Sequence, residues 1–210
     1  MTTQGRPRAG SRRAAAAREA AAPPGKVRII GGALRRTPLP VADAPGLRPT
    51  PDRVRETTFN WLAHLLPSLE GASGLDLFAG TGALGFELAS RGARRAVLVE
   101  RDPRLAASLR ELAQRLAPGA VEVIAADWRI ALSRLGSERF DVVFLDPPFG
   151  SGVLAPALLA ARTLLAPGGL VYAEEDRALD PAQVQAAELE VLRESRAGAV
   201  HFHLLRARPC

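Results

Sequence analysis

Asp146-Pro147-Pro148-Phe149 follows the apolar run Val142-Val143-Phe144-Leu145. Such a run reads as a buried strand, and two prolines at its end stop the ladder and stiffen the backbone. A carboxylate, rigid carbonyls and an aromatic ring therefore gather at the C-terminal end of one strand. That group can grip a flat base bearing an exocyclic amine. Asp146 and the Pro147 carbonyl can accept the two amine hydrogens, Pro148 stiffens the turn, and Phe149 can stack on the ring. The plainer alternative is a strand-ending turn with a core phenylalanine.

A second constellation spans Asp76-Leu77-Phe78-Ala79-Gly80-Thr81-Gly82-Ala83-Leu84-Gly85. Gly80-x-Gly82-x-x-Gly85 satisfies the dinucleotide fingerprint, and Glu100 lies about 20 residues on, where an acid can bind ribose hydroxyls. A dehydrogenase is thus one reading. Two residues favour S-adenosylmethionine instead. Asp76 sits at the strand end before the loop, where it would repel a pyrophosphate but suits an ammonium group. Asp127 ends a later strand, where it can accept from an adenine amine, with Trp128 beside it. Asp76, Phe78, Ala79, Gly80, Gly82, Glu100, Asp127 and Trp128 then outline amino-acid, ribose and adenine subsites.

The elements that must hold these groups alternate. Strands are predicted over 75–78, 96–99, 121–125, 140–145 and 170–174, and helices over 82–91, 104–116, 128–135 and 154–165. A terminal strand pair is predicted over 189–193 and 199–205. This alternation means a doubly wound, Rossmann-like α/β sheet, mainly parallel. Ahead of it, Thr50 reads as an N-cap, Pro51 as the first helical residue and Asp52 as a dipole-matched acid. On that helix Val54, Trp61, Leu62 and Leu65 share one face, while Arg53, Glu56, Asn60 and His64 form a second stripe.

The 210-residue chain carries net charge +6, and Lys26 is its only lysine. A basic, arginine-rich surface suits a polyanion such as RNA. Residues 1–26 read as a disordered basic tail, 27–50 as a small extension, and 51–210 as the main domain. The apolar runs fall short of the ~20 residues needed to span a bilayer. One cysteine, Cys210, permits no internal disulfide, which fits a reducing, cytoplasmic setting. His64, His201 and His203 lack neighbours at metal spacing, so no metal is expected. Nothing points to an obligate dimer, and a monomer is expected.

With these residues in hand, the chain resembles the bacterial RsmD family of class I S-adenosylmethionine-dependent methyltransferases. The resemblance runs from about Arg28 to the C-terminus and leaves out the basic tail. Arg28-Ile29-Ile30-Gly31-Gly32 matches the family's opening, and its most distinctive stretch is Arg48-Pro49-Thr50-Pro51-Asp52-Arg53-Val54-Arg55-Glu56-Thr57-Thr58-Phe59-Asn60-Trp61-Leu62. Pro51 stands where the family pattern has a small polar residue. The glycine loop and Asp146-Pro147-Pro148-Phe149 complete the match. The resemblance implies a seven-stranded sheet with an antiparallel C-terminal hairpin. It implies methylation of the N2 amine of one guanine in 16S ribosomal RNA, on the RNA or the small subunit. It also implies that the segment from Arg28 to Asn60 contacts RNA, with Arg28, Arg48, Thr50, Arg53, Arg55 and Asn60 as candidates. The residues alone leave two alternatives open. One is an adenine-N6 or cytosine-N4 methyltransferase, because the Asp-Pro-Pro-Phe geometry serves any exocyclic amine. The other is a non-catalytic RNA-binding assembly factor.

Overall fold

A computed structural model describes residues 26–41 and 50–209. The basic tail, most of the loop that holds Arg48, and Cys210 lie outside the described residues. The described part opens with two short strands, β1 (Lys26–Arg28) and β2 (Pro38–Pro40), paired antiparallel. Helix α1 (Asp52–Leu65) follows. Then come β3 (Ser73–Asp76), α2 (Ala83–Ser90), β4 (Arg95–Glu100), α3 (Pro103–Leu116), β5 (Val121–Ala125), α4 (Trp128–Leu135) and β6 (Phe140–Leu145). The chain continues through α5 (Leu154–Leu164), β7 (Leu165–Glu175), α6 (Pro181–Ala186), β8 (Leu189–Ala197) and β9 (Val200–Ala207).

Among the described residues, seven strands form one sheet in the order β5-β4-β3-β6-β7-β9-β8. The pairs from β5 to β7 are parallel, while β9 runs antiparallel to both β7 and β8. The order reverses between β3 and β6, since the chain leaves β3 toward β4 and returns to the other side with β6. A crevice at the C-terminal ends of such a strand pair is where open α/β sheets bind ligands.

Strand parity divides the core. Val143 and Leu145 face one side, with Leu75, Val97 and Val171, and are covered by α4, α5 and α6. Val142 and Phe144 face the other side, with Leu170, Tyr172 and Leu204, and are covered by α1 and α2. There Phe59 of α1 meets Phe144 with ring centroids 5.9 Å apart, and Trp61 stacks on Phe202 at 5.3 Å. Asp146 continues the parity of Val142 and Phe144, so α1 borders the chemistry as well as the core.

Several elements depart from the sequence expectations: β3 spans 73–76 rather than 75–78, β8 runs on to Ala197, and other ends shift by one or two residues. Helix α1 starts at Asp52, with Pro51 as its N-cap and no side-chain cap. Thr50 stands one residue ahead of the cap position, and its hydroxyl donates to a carboxylate on another element. Strand β7 begins at Leu165, five residues before the predicted 170, with a register shift against β6 carrying it past Pro167, Gly168 and Gly169. Helix α6 was not predicted, although Asp180 caps it by accepting from Ala182 N–H and Pro181 takes the first position.

Candidate functional site

Asp76 ends β3 and pairs in register with Phe144, two residues before Asp146. The two carboxylates thus stand on neighbouring strands at the switch point. Asp76 is buried, and its carboxyl is pushed up to about 7. Loss of hydration is the largest cause; a hydrogen bond from Phe78 N–H opposes it, and the charges of Asp146 and Glu100 add to it. An anionic cluster of this kind is relieved by a cationic group.

The glycine loop is built for a tight turn. Gly80 and Gly82 both adopt positive φ, 51° and 75°. A Cβ on Gly82 would lie 2.7 Å from Leu109 Cδ2 and 2.8 Å from Phe86 Cδ2, so the position rejects a side chain on two grounds. Ala79 N–H donates to the Val99 carbonyl, which ties the loop to β4. Glu100, 8% exposed, accepts from Gly80 N–H at 2.9 Å and from Asp102 N–H at 2.8 Å. Each carboxylate oxygen can accept more than one hydrogen bond, so Glu100 can brace the loop and still receive a hydroxyl. Asp127 accepts from Arg129 N–H at 2.9 Å and caps α4. Trp128 is buried against Phe78, with centroids 6.1 Å apart, and the Arg129 guanidinium lies over its ring. The Trp128 indole N–H has no hydrogen-bond partner among the described residues.

Asp146 is half-buried, Pro147 buried, Pro148 exposed and Phe149 half-buried against the α1-side core. Thr50, 6% exposed, donates its hydroxyl to Asp146 Oδ2 at 3.1 Å. Thr50, expected as an RNA contact, thus stands beside Asp146.

The candidate RNA contacts separate. Arg28, Arg53 and Asn60 are exposed. Arg48 lies outside the described residues. Arg55 is the clear correction, since it is fully buried. Its Nη2 donates to the Arg28 carbonyl at 2.8 Å and to Asp52 Oδ1 at 2.6 Å, and its Nε donates to the Thr50 carbonyl at 3.3 Å. A guanidinium held this way cannot reach a phosphate. Its partner Glu87 also accepts from Ile30 and Gly31 N–H, at 2.7 and 2.8 Å. Sequence reasoning missed Glu87, whose only signal was an acid inside an otherwise apolar helix. It also missed Glu174, a buried acid that accepts the Tyr172 hydroxyl at 2.7 Å beside the end of β6. Tyr172 and Glu174 lie two apart on β7, so they share a face, which alternation could have revealed.

The family model described as Conserved hypothetical protein 95 matches residues 27–206. The ribosomal RNA small subunit methyltransferase D of Escherichia coli strain K12 is 41% identical over 182 residues, covering 86% of this chain and 89% of the relative. The chain belongs to the RsmD family of methyltransferases. Its Haemophilus influenzae relative of the same name is 39% identical over 185 residues, covering 86% of this chain and 93% of the relative. The solved structure of the Escherichia coli protein yhhF matches this RsmD-family chain with a TM-score of 0.72 at 36% identity, over 88% of this chain and 99% of that one. A Thermus thermophilus protein of solved structure matches with a TM-score of 0.71 at 33% identity, over 87% of this chain and 99% of that one. Among the described residues, no helix is long and apolar enough to cross a membrane, and no cluster of three or more His, Cys, Asp or Glu side chains could hold a metal.

Proposed function

We propose that this RsmD-family chain uses S-adenosylmethionine to methylate the exocyclic N2 amine of one guanine in the 16S RNA of the small ribosomal subunit. The observation that carries the reading is that Asp76 pairs with Phe144 at the switch point between β3 and β6, which sets it beside Asp146-Pro147-Pro148-Phe149. One side suits a cation and the other suits an amine on a flat ring. The relatives' names supply the ribosomal RNA. The guanine and its N2 atom rest on the resemblance of the motifs.

The residues fit the cofactor. Asp76, with its carboxyl raised toward neutrality, can hold the ammonium group. Glu100 can receive ribose hydroxyls, and Asp127 and Trp128 border the adenine end. When bound, the cofactor supplies a methyl group on a sulfonium, which is already a good electrophile.

The chain's task is therefore to orient and desolvate. Asp146 and the Pro147 carbonyl accept the amine hydrogens and bias the nitrogen toward a tetrahedral shape. Its lone pair then points along the line of displacement. Phe149 stacks on the base, which must leave its own stack to enter. The nitrogen becomes acidic as it gains the methyl group, so its proton passes to Asp146 or water without a strong base. Arg28, Arg53 and Asn60, with Arg48 of the neighbouring loop, meet the RNA backbone. The proposal is a monomer working in the cytoplasm, where ribosomal RNA is assembled into subunits.

Methyl transfer from labelled S-adenosylmethionine to unmodified small subunits, naked 16S RNA and duplex DNA tests this reading. N2-methylguanosine from the subunits or their RNA is the expected product. Methylated adenine or cytosine would overturn the substrate.

A further inference from the structure

We infer that Thr50 is a positioning residue for the methyl-transfer step, and that buried Arg55 holds Thr50 in place to do it. The inference rests on the proposed function, because it assigns Asp146 a reacting amine to hold.

Thr50 and Asp146 are 96 positions apart, yet the Thr50 hydroxyl donates to Asp146 Oδ2 at 3.1 Å. A threonine just ahead of a helix ordinarily gives its side-chain oxygen to a free N–H of the first turn. Here α1 has no side-chain cap. The cap position is taken by Pro51, which has no side-chain acceptor to offer. The hydroxyl instead orients a carboxylate at the end of β6.

The backbone of Thr50 is fixed as firmly as its side chain. Arg55 Nε donates to the Thr50 carbonyl, and the same guanidinium binds the Arg28 carbonyl and Asp52. Its Nη1 lies 3.7 Å from Glu87 Oε2, with both side chains fully buried. Glu87 belongs to α2, the helix that follows the cofactor loop. A continuous chain of contacts thus runs from α2 through Glu87 and Arg55 to Thr50 and on to Asp146. Burying an arginine is a poor way to gain stability. It is a good way to hold one carbonyl at a fixed place, because the guanidinium fork is planar and rigid.

A carboxylate must be held in one orientation before an amine nitrogen can be aligned against it. The donor on Thr50 contributes that orientation from the α1 side, while the two prolines stiffen the backbone. The alignment of Asp146 is therefore shared between the sheet and the segment leading into α1.

The test compares Thr50→Val, Thr50→Ser and Asp146→Ala with the wild-type chain, using unmodified small subunits and labelled S-adenosylmethionine. Thr50→Val keeps the shape and deletes the donor. A hydrogen bond to a charged group corresponds to roughly a ten- to hundredfold effect. We expect kcat to fall by that factor in Thr50→Val, with cofactor Kd and subunit KM unchanged within about twofold and the unfolding midpoint unchanged. Thr50→Ser should stay within about threefold of wild type in kcat. A Thr50→Val enzyme with full kcat beside an inactive Asp146→Ala enzyme would overturn the positioning role and leave the proposed function standing. A rise in KM with unchanged kcat would also overturn it, returning Thr50 to RNA contact. A serine variant as impaired as the valine variant would make Thr50 a packing residue. A wild-type chain that transfers no methyl group would remove the proposed function and this inference together.

Discussion

Arg55 and Glu87 face each other out of reach of water, with Nη1 of one 3.7 Å from Oε2 of the other. Glu87 also binds Arg91 at 2.8 Å and two backbone N–H groups just after β1. One carboxylate therefore gathers the first hairpin, α1 and α2.

Breaking a buried pair by removing one partner costs about 3–5 kcal/mol, because the other charge stays behind unpaired. We expect Glu87→Ala to lower the unfolding free energy by about that much in urea titration. A loss below about 1 kcal/mol would mean that water or a rearranged side chain replaces Glu87.

Asp76 sets a pH dependence. Its carboxyl rises from 3.8 to about 7 in the folded chain, chiefly through lost hydration. The folded state keeps a proton that the unfolded state releases, so this group's stabilising contribution falls as pH rises from 3.8 to about 7 and then levels off. Asp76→Asn should flatten that part of the stability profile. Binding a cation favours the ionised form, so affinity for S-adenosylmethionine should strengthen as pH rises through about 7, with proton release. Calorimetry in buffers of different ionisation enthalpy reads this directly, and binding without proton release would count against the assignment.

Exposed Arg53 and buried Arg55 should behave differently toward RNA. Removing a phosphate contact lowers the slope of log K against log salt by about 0.7–0.9, with the larger loss of affinity at low salt. We expect Arg53→Ala to do so. Arg55→Met should leave the slope unchanged among folded molecules. Filter binding across a salt series compares the two, and equal slopes in Arg53→Ala and wild type would leave Arg53 a solvated surface residue.

Gly82 should not tolerate alanine. Its φ is 75°, and the added carbon would crowd Leu109 and Phe86. Strain and overpacking of this kind cost about 1–3 kcal/mol. Gly82→Ala should therefore unfold at lower urea and bind the cofactor more weakly, because the loop that Glu100 braces must shift. Unchanged cofactor affinity would place the loop outside the cofactor site.

The sheet was legible because its strands are apolar runs bounded by Gly, Pro and Asp. β5 and β6 match their predicted limits. The two chemical motifs were legible because prolines and glycines mark strand ends. What failed depended on contacts far apart in sequence. Thr50 obeys every local rule for an N-cap, but the helix starts one residue later with Pro51 at the cap, and the Thr50 hydroxyl donates to Asp146. Arg55 has the composition of a surface contact, yet helical spacing puts it on the face of Thr58, Phe59 and Leu62, all of which are buried. That spacing was the available signal, and charge outweighed it. Helix α6 is six residues long, too short for apolar periodicity to register.

If Asp146 grips a guanine amine, methyl transfer by Asp146→Ala must fail where wild type succeeds. Unmodified small subunits, labelled S-adenosylmethionine and nucleoside mass analysis give the readout. We expect wild type to yield N2-methylguanosine, and Asp146→Ala to bind cofactor normally while losing turnover by orders of magnitude. An Asp146→Ala chain that still methylates guanine at the wild-type rate would show that Asp146 does not hold the amine.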